Sequence, residues 1–377
     1  MSSRFRILYS NVSIPETLVY CVQLTVAQLL EDRNRLLIDP LIPLRNIPKH
    51  ANQPILQTAW HRWIDYETRR RILLSAFMLE TKQVTLFQQR SRNRHVMTEL
   101  DLPFPCGDLL WESGTVAEWR LGSGLEQTYC LTEAADMALI SDISLDPFQS
   151  TLILCHLMSN QASATEFDDD LQTFQDCLHN STNDNRKRGL LTYHALLMAK
   201  KTPIQALLTV SGESWIFGHK LSEEADFHAA KATLRAWATT TNDASQAVWH
   251  ATALLRHAMH DHTNSTTTDM LHEQWSIYLA ALVCWAFGFV AQPCVDPLTA
   301  LWDFTMISVE DQEMWAYLSV MHKPSWEFMR DVSMRWRTAG LLERVRRRID
   351  GQTGGLLNEA RSVLARLVEG VSTLSHF

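Results

Sequence analysis

The chain holds no two cysteines closer than ten positions, so the Cys-x2-Cys spacing of a zinc site is missing although seven cysteines are present. An odd number of scattered thiols suits reduced, buried cysteines in a cytosolic or nuclear protein. No Gly-x-Ser-x-Gly elbow, phosphate-binding GxxxxGK loop or GxGxxG fingerprint occurs, and no His-Glu-x-x-His. A basic excess is missing as well: 34 Lys and Arg face 42 Asp and Glu, for a net charge of −8. A chain devoted to nucleic acid usually carries the opposite balance. The longest apolar run, 277–290, is 14 residues, short of the roughly 20 that a membrane span needs. The N-terminus MSSRFRILYSNVS lacks the apolar centre of a secretory signal. These absences lead to the expectation of a soluble intracellular protein.

Strand alternation is nearly absent too, with Gln83–Phe87 a weak candidate. Between Phe148 and Gln292 one proline stands, Pro203, as a helical array requires. What is present is helical spacing. Trp60, Trp63, Ile64, Glu67, Arg71, Leu74 and Met78 share one face, and Glu67 and Arg71 form an i,i+4 pair with the acid toward the N-terminus. Trp275, Tyr278, Leu279, Leu282, Trp285, Ala286 and Phe289 form a second stripe, with Ile277, Ala281 and Cys284 apolar behind it, which predicts a helix buried all round. Leu356 to Val368 carries a third, one-sided stripe. Asn180–Arg188 and His262–Thr268 read as polar loops, and Leu121–Gln127 as a glycine turn. No repeat or linker stands out, so the expectation is one large all-α helical domain over residues 1–377.

Three stretches suggest chemistry and fall short of it. EFDDDLQTFQD at 166–176 approaches an aspartate-rich magnesium motif of terpene cyclases, but a DDxxD beginning at Asp169 needs an acid where Thr173 stands. An acidic helix start matched to the N-terminal dipole explains it better. His250, His257, His260 and His262 offer imidazoles, yet Asp261 is the one nearby acid, and helix-end histidines are the simpler reading. The segment Arg330–Arg348 holds seven arginines against two acids, and a solvated helix face is preferred over a phosphate or acidic-partner site.

The stretch LPFPCGDLLWESGTVAEW at 102–119 carries more information. Its prolines fix an extended entry, and Asp108 is placed to cap a helix bearing Trp111, Glu112 and Trp119, which would set two indoles against the Trp60–Met78 helix. Together with WHRWIDYETRRRILLSAFMLE at 60–80, it resembles the fungal-specific transcription factor domain, the middle homology region, of the type that follows Cys2His2 zinc fingers. That family shows W-x-x-W, an acid, an RR pair and F-x-L-D/E, then LP-x-P-x-x-x-LWE and a closing E-W. AVWHATALLRHAMH and WSIYLAALVCWAFGF, within 247–289, resemble its late segments. The blocks thus fall at 60–119 and 247–289. The family often has a proline shortly after F-x-L-D, where this chain reads QQRSRNRHVM at 88–97.

The resemblance implies an all-α regulatory domain in the nucleus of a filamentous fungus. No Cys2His2 or zinc-cluster cysteine set is present, so direct DNA binding is not expected. The favoured expectation is a transcription-factor-like regulator lacking its own zinc finger. It would control a fungal biosynthetic, secondary-metabolism gene cluster through partners in the transcription machinery, a DNA-binding regulator or a hydrophobic small molecule. The alternative is a repurposed pocket protein that binds, cyclises or isomerises a hydrophobic metabolite without a cofactor. Candidate ligand-binding residues are Glu67, Trp111, Glu112, Trp119, His250, Tyr278 and Trp285; no catalytic residue, metal, cofactor or membrane contact is assigned.

Overall fold

A computed structural model describes residues 51–88, 102–124, 128–140, 145–159, 164–180, 183–212, 215–216, 219–220, 224–240, 242–260, 272–289, 308–329, 338–350 and 355–371, with isolated positions between 27 and 47. Helices carry these residues. The extended exceptions among them are the two-residue antiparallel ladder β1 (Trp215–Ile216) with β2 (His219–Lys220) and a single bridge between Pro103 and Cys130. The fold is all-α. Among the described residues no helix is long and apolar enough to cross a membrane.

Contacts group the chain into two compact units, one of Thr17–Val84 with Gln89–Tyr193, the other of Thr85–Gln88 with His194–Phe377. The first unit is built on α1 (Gln53–Phe87), a 35-residue helix about 52 Å long at 1.5 Å per residue. Asn52 starts it by accepting a bond from the Ile55 amide at 3.2 Å, and Pro54 sits in the first turn, where a missing N–H costs nothing. The expected strand at Gln83–Phe87 is the last turn of this helix. Five alternating residues satisfy either period, and the preceding eight turns decide. The helix stops at Gln88, whose φ of 46° is the left-handed end conformation.

Among the described residues, five more helices and most of a sixth belong to the first unit. They are α2 (Asp108–Trp111), α3 (Val116–Ser123), α4 (Leu131–Ile140), α5 (Pro147–Ser159), α6 (Ala164–Asn180) and the start of α7 (Asn183–Lys200). α4, α5 and α6 pack on one another. The single capped helix expected over Asp108–Trp119 is instead two. The α2 N-cap is Gly107 with no side-chain cap, and α3 begins at Thr115, whose hydroxyl accepts from Glu118 N at 3.2 Å while the Glu118 carboxylate accepts from Thr115 N at 3.1 Å. The break falls at Ser113–Gly114. Leu121 to Ser123, expected in a turn, finish α3, and the expected loop 180–188 is helical from Asn183. The expected loop at His262–Thr268 lies outside the described residues.

The second unit contains α8 (Ile204–Ser211), α9 (Glu224–Thr240), α10 (Asn242–Met259), α11 (Glu273–Phe289), α12 (Val309–Val320), a 3-10 turn at Trp326–Met329, α13 (Ala339–Arg348) and α14 (Gly355–Val371). Its centre is α11, buried without interruption from Trp275 to Phe287, as its apolar residues on every side predict. α10, α13 and α14 each pack on it. The one-sided stripe of α14 buries Ala360, Val363, Leu364 and Leu367.

Candidate functional site

The first unit closes around a buried carboxylate. Glu67, on the inner face of α1, is fully buried, with Arg70 and Arg71 buried beside it. Arg70 Nη1 donates to Glu67 Oε2 at 2.8 Å, and Arg71 Nε donates to Oε1 at 3.1 Å. The same Oε1 accepts from the backbone N–H of Cys106 at 3.1 Å, and Arg71 Nη2 donates to the Cys106 carbonyl at 2.6 Å. One helix thus holds both polar groups of a single peptide residue 35 or more positions away. Burial works against the charge on Arg71, yet the neighbouring Cys106 and Glu67 groups hold its guanidinium above the ordinary range. Such a lock costs desolvation and is repaid only when every partner is present.

A second clamp holds the same loop from α5. Asp146 Oδ1 accepts from Gln149 N at 2.7 Å and Gln149 Oε1 accepts from Asp146 N at 3.2 Å, a reciprocal cap ahead of Pro147. Asp146 Oδ2 also accepts from Asp108 N at 3.0 Å, and Gln149 Nε2 donates to the Pro105 carbonyl at 3.0 Å. Burial pushes the Asp146 carboxyl up to about 6, with Asp108 adding to the rise and the Gln149 and Asp108 amides and Arg71 opposing it. The LPFPCGD segment is therefore fixed residue by residue, at Pro105, Cys106 and Asp108.

Aromatic rings surround the lock. The Arg71 guanidinium lies 4.6 Å from the Trp111 ring centre and 4.8 Å from that of Phe148. Trp63 meets Trp119 at 5.8 Å and Trp111 at 6.5 Å between ring centres. The two indoles of the 102–119 stretch do pack against α1, within a cluster that includes Leu56, Ala59, Leu110 and Val116.

The second unit has its own buried polar group. His194 of α7 and His250 of α10 share a hydrogen bond between their Nδ1 atoms at 2.9 Å, so one ring donates while the other accepts. The His194 ring stacks on His257 at 5.9 Å and stands edge-on to Trp249 at 5.6 Å. Burial, with Lys201 adding to the effect, holds His250 down at about 3, so His250 is neutral near pH 7. Among the described residues no group of three or more His, Cys, Asp or Glu is placed to hold a metal ion.

The predicted residues divide between the units. Glu67, Trp111 and Trp119 come together at the lock, while the Glu112 side chain is exposed where α2 ends. In the second unit His250 bonds His194, Tyr278 packs on Trp275 at 5.1 Å, and Trp285 is buried in α11. Sequence reasoning passed over Arg70, Cys106, Asp146, Gln149 and His194. Asp146–Pro147 with Gln149 three positions on was a legible cap, and His194 was legible as a lone imidazole in the apolar run LLTYHALLMA.

Residues 35–196 match the fungal specific transcription factor domain, and both clamps lie inside that segment. The late block at 247–289 lies beyond it. The nicotinate catabolism cluster-specific transcription factor of Emericella nidulans is 24% identical over 291 residues, covering 63% of this chain and 33% of its own length. Zinc finger protein klf1 of Schizosaccharomyces pombe is 23% identical over 286 residues, covering 65% of this chain and 35% of its own length. The chain spans about a third of the length of these curated relatives. No solved structure matches. Residues 35–196 are thus similar to the fungal specific transcription factor domain, as the sequence resemblance implied, and this matched segment is the one that builds the Glu67–Arg71–Cys106 lock.

Proposed function

We propose that this chain is the regulatory part of a nuclear, pathway-specific transcription regulator, controlling a fungal gene cluster through protein partners and a bound small molecule. The observation that carries the reading is the doubly clamped 102–119 segment inside the family match: a loop held by Glu67, Arg71, Asp146 and Gln149 presents α2 and α3 in one fixed pose. Fixed presentation of a surface is what a regulatory module needs. The relative in Emericella nidulans, by its name specific to a nicotinate catabolism cluster, supports control of a cluster rather than of general transcription.

Tethering the chain to an unrelated DNA-binding domain upstream of a fungal reporter tests this. Transcription is expected to change severalfold relative to the DNA-binding domain alone, and an unchanged reporter at equal protein abundance would sink the proposal. Glu67→Gln is expected to abolish the response, because it removes the buried charge that Arg70 and Arg71 bond at 2.8 and 3.1 Å, at a cost of about 3–5 kcal/mol.

A further inference from the structure

The tryptophan cluster of the first unit contains an unmet demand. The indole N–H groups of Trp60, Trp63 and Trp119 are all buried and meet no acceptor among the described residues. Trp63 is 1% exposed and Trp119 0%, so water does not reach them. Buried donors in folded proteins nearly always find a partner, and each exception asks for an explanation. The tilted contact between Trp63 and Trp119 gives at best a weak N–H to ring interaction. Three such donors within one contiguous cluster point to acceptors supplied from outside the described residues.

We propose that this cluster binds a small planar aromatic molecule whose carbonyl or carboxylate oxygens accept from the indole N–H groups of Trp60, Trp63 and Trp119. The chemistry of the walls selects that class. Indole faces favour a flat ring by offset or edge-on stacking. The cluster offers donors and no acceptors, and a carboxylate has lone pairs for three bonds. Trp60 and Trp111 are only partly buried at the margin, so a ligand meets the cluster there, and reaching Trp63 and Trp119 requires those two rings to move aside. Trp111 also stacks on Arg71, so a ring seated against it touches the lock that fixes the 102–119 segment. This use of the site rests on the regulatory reading above; the binding itself does not.

The test is an indole-region 15N–1H spectrum of the full chain, in which thirteen tryptophans give thirteen signals. Trp60→Phe, Trp63→Phe and Trp119→Phe assign the three of interest. Benzoate and benzamide serve as probes, with toluene as the ring without an acceptor. The three signals are expected to move downfield and saturate together with benzoate or benzamide. Removing one donor at position 63 or 119 is expected to weaken binding about tenfold, the loss of one buried hydrogen bond. Where a phenylalanine variant fails to fold, benzothienylalanine keeps the ring size and removes only the N–H. Absence of saturable shifts at millimolar probe, or equal binding of toluene, would overturn the site. Binding with no effect on the tethered reporter would uphold the site and remove its regulatory use. A reporter response without binding would do the reverse.

Discussion

A carboxylate that caps a helix and receives two backbone N–H groups is ordinarily an easy one to ionise. Asp146 is held up near 6 because burial outweighs those bonds, with the Asp108 charge working in the same direction. The folded state therefore holds this proton more tightly than the unfolded chain, whose ordinary value is 3.8. The sign follows by linkage: the stability associated with the proton is complete below 3.8 and is lost as the pH rises through about 6. The size is on the order of 2–3 kcal/mol. His250 acts in the opposite direction, since a value held near 3 makes stability fall as the pH drops below 6.5. Comparing urea midpoints of the wild type and Asp146→Asn between pH 4 and 7 separates the two. The stability difference between the proteins should shift by about 2–3 kcal/mol over that range, moving in the variant's favour as the pH rises. A constant difference would mean that Asp146 is an ordinary exposed-type carboxylate.

At the scale of elements, periodicity predicted the helices best where it had many turns to act over, as in α1 and α11. It failed where a local signal had to be weighed against a regional one. Thr115-Val-Ala-Glu118 is a capping sequence in plain view after Gly114, yet the apolar positions on both sides hid the break between α2 and α3. The Glu67–Arg71 half of the lock was legible because both residues lie on one helix. The Cys106 half was not, because backbone groups have no sequence signature and the spacing is 35 residues. Close helix crossings are similarly hidden. A Cβ on Gly340, at the start of α13, would stand 2.6 Å from the Glu310 carbonyl and 2.7 Å from Glu313 Cβ. One on Gly189, inside α7, would meet the mobile end of Leu178 at 2.7 Å. Both positions gain about 1 kcal/mol of helix propensity from alanine. The Gly340 neighbour is backbone and cannot yield, so Gly340→Ala is expected to lower stability by about 1–2 kcal/mol net, through overpacking. Gly189→Ala should be neutral or slightly stabilising, because Leu178 can change rotamer. Thermal unfolding of the two variants checks this, and equal losses would show that helix crossing distance is not what selects glycine at Gly340.

At the scale of the whole molecule, two of the unit boundaries left no trace in the sequence because they fall inside continuous helices, at Val84–Thr85 of α1 and Tyr193–His194 of α7. Charge was legible in total but not in its pairing. The arginine-rich segment ending at Arg348 reads as a solvated face in preference to a phosphate contact, and in its described part the partly exposed arginines are paired with acids. Arg344 pairs with Asp311 at 3.1 Å, Arg346 with Glu343 at 2.7 Å, Arg347 with Glu343 at 2.8 Å and Glu310 at 3.4 Å, and Arg348 with Glu273 at 3.4 Å. Bonds from Arg346 and Arg347 hold the Glu343 carboxyl down at about 2, so the network stays charged across the physiological range. A net charge of −8 then leaves little field to attract a phosphate backbone. The chain alone is expected to bind a 30-base-pair duplex no more tightly than the non-specific range, roughly 10⁻⁴ M or weaker at physiological salt. Glu310→Gln with Glu343→Gln, both in the second unit, removes the acids closest to Arg346 and Arg347 and leaves Arg346 the longer pair with Asp350 at 3.7 Å. That variant should gain salt-sensitive binding, with a slope of about two released counterions at most. Anisotropy titrations of labelled duplex at two salt concentrations measure both. Tight, steeply salt-dependent binding by the wild type would show that the arginines engage DNA despite their acids, and the regulatory part would then read DNA itself.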